Sequence, residues 1–267
     1  MTGSPRYTHG HAESVLRSHR WRTAENSAGY LLPHLAPGQR LLDVGAGPGT
    51  ITADLAGRVA PGRVTALEAT DQALALSRDE LGRRGIDADF VVGHVHALEL
   101  DDDSFDVVHA HQVLQHVADP VQALREMRRV CRPGGIVAVR DSDYAGFVWH
   151  PETPAFDRWM SLYQQTTRDN GGEPNAGRML LAWAHAAGFT DVTPTAALWC
   201  FATPEDRDYW GGMWKDRILA SAFATQLLDE GRATQQDLQS ISEAWEAWAA
   251  DPDAWFTVLH GELIARA

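Results

Sequence analysis

The segment Leu41-Leu42-Asp43-Val44-Gly45-Ala46-Gly47-Pro48-Gly49-Thr50 decides the fold. Its first four residues read as a buried strand, and its glycines as a tight turn that brings backbone close to a ligand. A helix is expected over 51–59. Working outward, short apolar runs alternating with amphipathic stretches predict strands over 63–68, 89–92, 105–111 and 136–140, with helices over 71–85 and 120–132. Asp119 and Pro120 supply the cap and first residue of the second helix, and Pro133-Gly134-Gly135 stops it. Such βαβ repetition builds a parallel sheet. Past Asp141 the rhythm changes. Helical spacing covers 154–187 with a break at Asn170-Gly171-Gly172, and a sixth strand follows over 188–195. Helical spacing then covers 204–250, and a last strand covers 256–264.

Composition narrows the class. The chain has 267 residues, 44% hydrophobic and 22% charged, which excludes a disordered chain. Two cysteines, Cys131 and Cys200, lack redox or zinc spacing and read as reduced small hydrophobes. The first thirty residues carry no signal-peptide core, and no apolar stretch reaches the ~18 residues of a membrane span, so a cytoplasmic enzyme is expected. The net charge is −13, and residues 150–267 hold 17 acids against 8 bases, so nucleic acid is not an expected partner. Nine of the ten tryptophans lie between Trp149 and Trp255. Pairs at helical spacing, Trp210/Trp214 and Trp245/Trp248, read first as packing and second as the lining of a lid over an apolar site.

Two cofactor classes use a glycine turn of this kind. A dinucleotide fingerprint wants a third glycine where Thr50 stands, and the carboxylate of Asp43 disfavours a pyrophosphate while favouring a cationic amino group. S-adenosylmethionine (SAM) carries an ammonium and a sulfonium and no phosphate. Glu68, at the end of the second strand, is sited to accept ribose hydroxyls. An NAD-type oxidoreductase is thereby disfavoured.

Taken together, LLDVGAGPGT (41–50), the strand ending in Glu68, residues 101–139 and AGF (187–189) resemble the class I SAM-dependent methyltransferases, in particular the ubiquinone/menaquinone-biosynthesis type and small-molecule methyltransferases of secondary metabolism. The resemblance covers roughly residues 35–200. It implies a Rossmann-like, mostly parallel sheet of seven strands with the last antiparallel, a helical cap over 1–36, a SAM-binding domain over 37–200, a helical lid insertion over 201–252 and the last strand within 253–267. It further implies that Gly45, Ala46, Gly47 and Thr50, with Asp43 beside them, approach the amino-acid end of SAM, that Glu68 and Ala69 meet the ribose, and that His111 and Gln112 pass beneath the cofactor. The adenine segment departs from the family pattern: His94 stands where an acid is usual, leaving its imidazole and the backbone of Val95 as the adenine contacts.

Methyl transfer from a sulfonium needs alignment and exclusion of water, and a base only for a hydroxyl or carbon-acid acceptor. His116, Asp141 and Tyr144, with Asp143 nearby, follow the fourth and fifth strands and are the catalytic candidates; polar loop residues or helix caps are the alternative for each. Tyr7, His9 and His11 are candidates for a flap. The pairs His94/His96 and His109/His111 lack companion ligands, so no metal is expected. The acidic late half favours a neutral or cationic, largely apolar small-molecule acceptor. A monomer or homodimer is expected, and the alternative function is a SAM-binding protein that does not methylate, pericyclase-like or regulatory.

Overall fold

The computed structural model describes residues 21–267. They divide into two compact units, one of residues 21–142, 176–197 and 260–267, the other of residues 143–175 and 198–259.

In the first unit, β1 (Leu41–Val44) is buried along its whole length between β2 (Val64–Glu68) and β4 (Phe105–His111), both parallel to it. Outside β2 lies β3 (Asp89–Val92), and outside β4 lies β5 (Cys131–Ser142), also parallel. Next to β5, β8 (Trp255–Arg266) runs antiparallel, and β7 (Val192–Phe201) pairs with β8. The expected mostly parallel Rossmann-like sheet with an antiparallel last strand is therefore present. Alternation along the strands sends side chains to opposite faces. Leu42, Val44, Val108, Ala110, Val137 and Val139 pack with Leu124 and Met127 of α4 (Pro120–Val130) and Leu180 of α6 (Ala176–Ala186). Leu41, Val107, Ile136 and Ala138 pack on the other face with Ile51, Leu55 and Val59 of α2 (Thr50–Val59) and with Ala24 of α1 (Ala24–Ser27), Ala28 and Leu31. Both faces are covered, as parallel strands require. Asp119 caps α4 and Pro120 opens it, while Thr70 caps α3 (Asp71–Arg83). The predicted fifth strand begins earlier than expected, because the chain extends straight from Val130 and the Pro-Gly-Gly segment joins the strand.

The second unit is helical: α5 (Pro154–Asp169), α7 (Pro204–Arg217), α8 (Ala222–Asp229) and α9 (Gln235–Ala250), opened by Thr153, Thr203, Ser221 and Thr234 as N-caps. A short strand that the sequence did not signal, β6 (Val148–His150), pairs antiparallel with Trp255–Thr257. The unit takes in residues 143–175, although the sequence pattern groups them with the sheet domain over 37–200. Eight of the ten tryptophans belong to it. Phe156 lies 4.0 Å from Trp245, Trp159 lies 4.7 Å from Trp214 and 5.2 Å from Trp245, and Phe201 stacks on Trp210 at 4.3 Å, all between ring centroids. The aromatic surplus thus packs against itself as the core of this unit. No helix of the described residues is long and apolar enough to cross a membrane.

Trp245 is fully buried at the centre of these rings. Trp245→Ala is expected to lower the unfolding free energy by about 3–5 kcal/mol, read by urea denaturation, because the cavity cannot be refilled by rigid neighbours.

Candidate active site

The C-terminal ends of β1, β2, β4 and β5 gather most of the candidate residues within the first unit. After β1 the chain turns through Gly45, and the amides of Gly45 and Ala46 donate to the Leu67 carbonyl at 2.8 and 3.2 Å. A Cβ at Gly45 would strike Val113, so glycine there is a packing requirement. Gly45 and Gly47 both hold a left-handed φ, +70° and +55°, but nothing lies within 4 Å of where a Cβ at Gly47 would stand, leaving its backbone open to a ligand. The Gly47 amide donates to Glu68 Oε1 at 2.6 Å, the Ser77 hydroxyl donates to the Gly47 carbonyl at 2.7 Å, and the Ala69 amide donates to Glu68 Oε2 at 3.3 Å. Glu68 remains half-buried at the rim, and Ala46 and Thr50 are buried beside the turn. This open backbone cradle with an acid at its edge fits SAM.

Asp43 faces inward. One carboxylate oxygen accepts the Thr52 hydroxyl at 2.5 Å and the other lies 2.7 Å from His109 Nδ1, with both side chains buried. Its charge is engaged beneath the turn rather than open to a ligand. His94 is exposed and forms an isolated bridge with Ala97, whereas Val95 is buried in the core below. His96 Nε2 accepts the Asp119 amide at 3.4 Å. No three His, Cys, Asp or Glu side chains gather into a metal-binding group among the described residues.

At the end of β4, His111 is buried and its ring stacks on His260 with centroids 6.1 Å apart. Burial, with help from Arg22, Arg140 and His260, holds its basicity well below the usual histidine range. Gln112 follows with φ +55°, a left-handed conformation seldom adopted outside glycine, asparagine and aspartate. Its side chain accepts from Arg22 Nη2 at 2.7 Å and meets Ser142 Oγ at 2.8 Å and His260 Nε2 at 2.9 Å. Residues Leu114–His116 form a 3₁₀ turn. The Gln115 amide donates to Asp141 Oδ1 at 3.0 Å, so Asp141 fastens the turn that carries His116. Asp141 Oδ2 is buried without a hydrogen-bond partner among the described residues. Burial pushes the Asp141 carboxyl up to about 7, partly opposed by the Gln115 and Leu114 amides and by Arg140. Burial and Arg22 push His116 down to about 3.

Tyr144 and Asp143 belong to the other unit, where the Tyr144 ring stacks on Tyr163 at 4.0 Å and Phe147 at 4.4 Å. Tyr7, His9 and His11 lie outside the described residues. Arg22, Gln115, Ser142 and His260 went unnoticed in the sequence. Their partners stand 26 to 148 positions away, or one position away in a direction that only the fold defines.

A model of the methyltransferase domain matches residues 42–139. An uncharacterized methyltransferase of Schizosaccharomyces pombe is 34% identical to the chain across 97% of it and 96% of the relative. The chain belongs to the class I SAM-dependent methyltransferases. The ubiquinone/menaquinone biosynthesis C-methyltransferase UbiE of Idiomarina loihiensis is 38% identical over 38% of this methyltransferase and 42% of its own length. Among solved structures, the YcgJ protein of Bacillus subtilis shares the fold, with TM-score 0.60, 16% identity and coverage of 89% of this chain and 97% of that one. The matched domain runs from β1 to β5 and contains the cradle, Glu68 and the His116 turn of this methyltransferase.

Asp141 makes the methyltransferase's stability depend on pH. Its folded pKa of about 7 lies above the unfolded value of about 3.9, so between these values the native state holds a proton that the unfolded state has lost. Stability therefore falls as pH rises from about 4 to about 7 and levels off above. Asp141→Asn is expected to be more stable than the wild type by about 2–4 kcal/mol at pH 8, with the two converging near pH 4, as read by denaturant titration.

Proposed function

We propose that this methyltransferase transfers the sulfonium methyl of SAM to a small, largely apolar acceptor through a hydroxyl or an acidic carbon, with Asp141 taking the released proton. The observation that carries the reading is the buried Oδ2, without a hydrogen-bond partner among the described residues, of a carboxyl poised at about 7 at the end of β5. A base of that strength is deprotonated in a useful fraction at neutral pH and still holds a proton well. His116, at about 3, is a much weaker proton acceptor, and its part is to shape the wall that Asp141 fastens. Tyr144, the third catalytic candidate, belongs to the aromatic unit.

SAM, when bound, supplies an electrophilic methyl on a cationic sulfur that leaves as a neutral thioether. Gly45, Ala46, Gly47 and Thr50 hold its amino-acid end on backbone, with Asp43 stabilising the turn from inside. Glu68 accepts the ribose hydroxyls beside Ala69, His94 and the backbone of Val95 meet the adenine, and His111 and Gln112 floor the site. The acceptor nucleophile must reach the methyl in line with sulfur, and apolar walls exclude competing water. The net negative charge supports a small-molecule rather than a nucleic-acid partner.

Incubation with labelled SAM and extract of the producing cells, followed by mass spectrometry, is expected to yield one labelled small molecule. Cofactor binding with no labelled product would move the protein to the non-methylating readings. Glu68→Ala is expected to weaken S-adenosylhomocysteine binding by about 1.5–3 kcal/mol in calorimetry, and an unchanged dissociation constant would remove the ribose role. Asp141→Asn is expected to keep that affinity and lose turnover; full turnover would leave alignment alone as the source of the rate.

A further inference from the structure

Gln112 and Gln115 flank the end of β4, and the orientation of each side-chain amide follows from the nature of its partners. Gln112 Oε1 faces Arg22 Nη2 at 2.7 Å, and a guanidinium only donates, so the oxygen must lie on that side. Its amide nitrogen then offers two hydrogens: one to Ser142 Oγ at 2.8 Å, the other to His260 Nε2 at 2.9 Å. Gln115 repeats the arrangement. Its Oε1 accepts the backbone N–H of Ser142 at 3.2 Å, a group that only donates, and its Nε2 lies 2.9 Å from His116 Nε2. Each histidine Nε2 therefore meets an N–H and must receive it on a lone pair.

We infer that Gln112 and Gln115 are positioning residues that hold His260 and His116 as neutral imidazoles with the proton on Nδ1. Protonating either ring would set N–H against N–H across 2.9 Å. Arg22 opposes a charge on His116 while the carboxyls of Asp141 and Glu262 work the other way, so the amide contacts fix the tautomers. His116 faces Arg22, and the carboxyl of Asp141 is tied to the Gln115 backbone. His260 faces His111 and pairs in register with Ser142, two residues from the buried Arg140–Glu262 pair at 3.2 Å, in which Glu262 also accepts from Thr195. The depressed basicity of His116 accords with this arrangement. Gln112 keeps its side chain at the cost of a left-handed backbone that glycine would adopt freely and asparagine more easily, yet glycine has no amide and the asparagine amide is one methylene too short. Neutrality matters here because the family's cofactor carries a positive sulfur, and an imidazolium nearby would repel it.

The inference rests on the family's cofactor but not on the proposed acceptor or base. It is tested by long-range proton–nitrogen NMR on protein labelled in histidine nitrogen, with His116→Asn and His260→Asn used for assignment. At pH 7.5 both rings are expected to show a bare Nε2 and a protonated Nδ1, unchanged at pH 5.5. A protonated Nε2 on either ring overturns the inference, whatever the methylation assay gives. Gln112→Ala and Gln115→Ala are expected to mix the tautomers and let the freed ring charge by pH 5.5, lowering the preference for SAM over S-adenosylhomocysteine, whose sulfur is neutral, roughly tenfold relative to the wild type. Folded variants with unchanged tautomers and unchanged preference would also overturn it, and if neither variant folds, the wild-type spectrum decides alone.

Discussion

The buried carboxylate of Asp43 carries the geometry of the cofactor side. With one oxygen it receives the Thr52 hydroxyl from α2, and with the other it meets His109 on β4, so a single side chain joins the first strand, the helix after the turn and the neighbouring strand. A charge in such a position is tolerated only because both oxygens are engaged. The turn between Gly45 and Gly49 is thereby suspended from a rigid point below and tied to the end of β2 at its side.

The two units are built on opposite principles. In the sheet unit a buried polar row crosses adjacent strands, with Asp43 beside His109, His111 in register with Arg140, and Arg140 opposite Glu262. Burial pushes the Arg140 guanidinium down to about 10 despite the carboxylate of Glu262 at its side. Such groups do little for net stability, but they resist rearrangement, because breaking one pair strands a charge. In the other unit stability comes from ring on ring, a dense apolar interior that leaves chemistry to its edges.

Much of the sheet was legible in the sequence because strand and helix periods are local. Strands β1 to β4 and the cap at Asp119 follow directly from short-range patterning. The short strand Val148–His150 left no signal, since three residues hold no period and its pairing partner lies about a hundred positions away. At the site, Gly47 and Glu68 were readable from spacing. The inward turn of Asp43 was not, because the spacing fixes which strand end an acid occupies but not which neighbour competes for it. Gln115 and His260 were invisible for a related reason: an amide set between a donor and an accepting imidazole acquires its meaning only when strands β4, β5 and β8 are side by side.

Glu68 is a rim acid, yet the bond from the Gly47 amide gives it a second office. One carboxylate belongs at once to the edge where a ribose is proposed to sit and to the turn where an amino-acid moiety is proposed to sit. Whatever withdraws electron density from that carboxylate on one side alters the bond it accepts on the other. The two ends of the cofactor are then energetically linked through the protein as well as through their own covalent frame, and linkage is reciprocal: a fragment carrying only the adenosine half and a fragment carrying only the amino-acid half would each change the affinity for the other by the same factor.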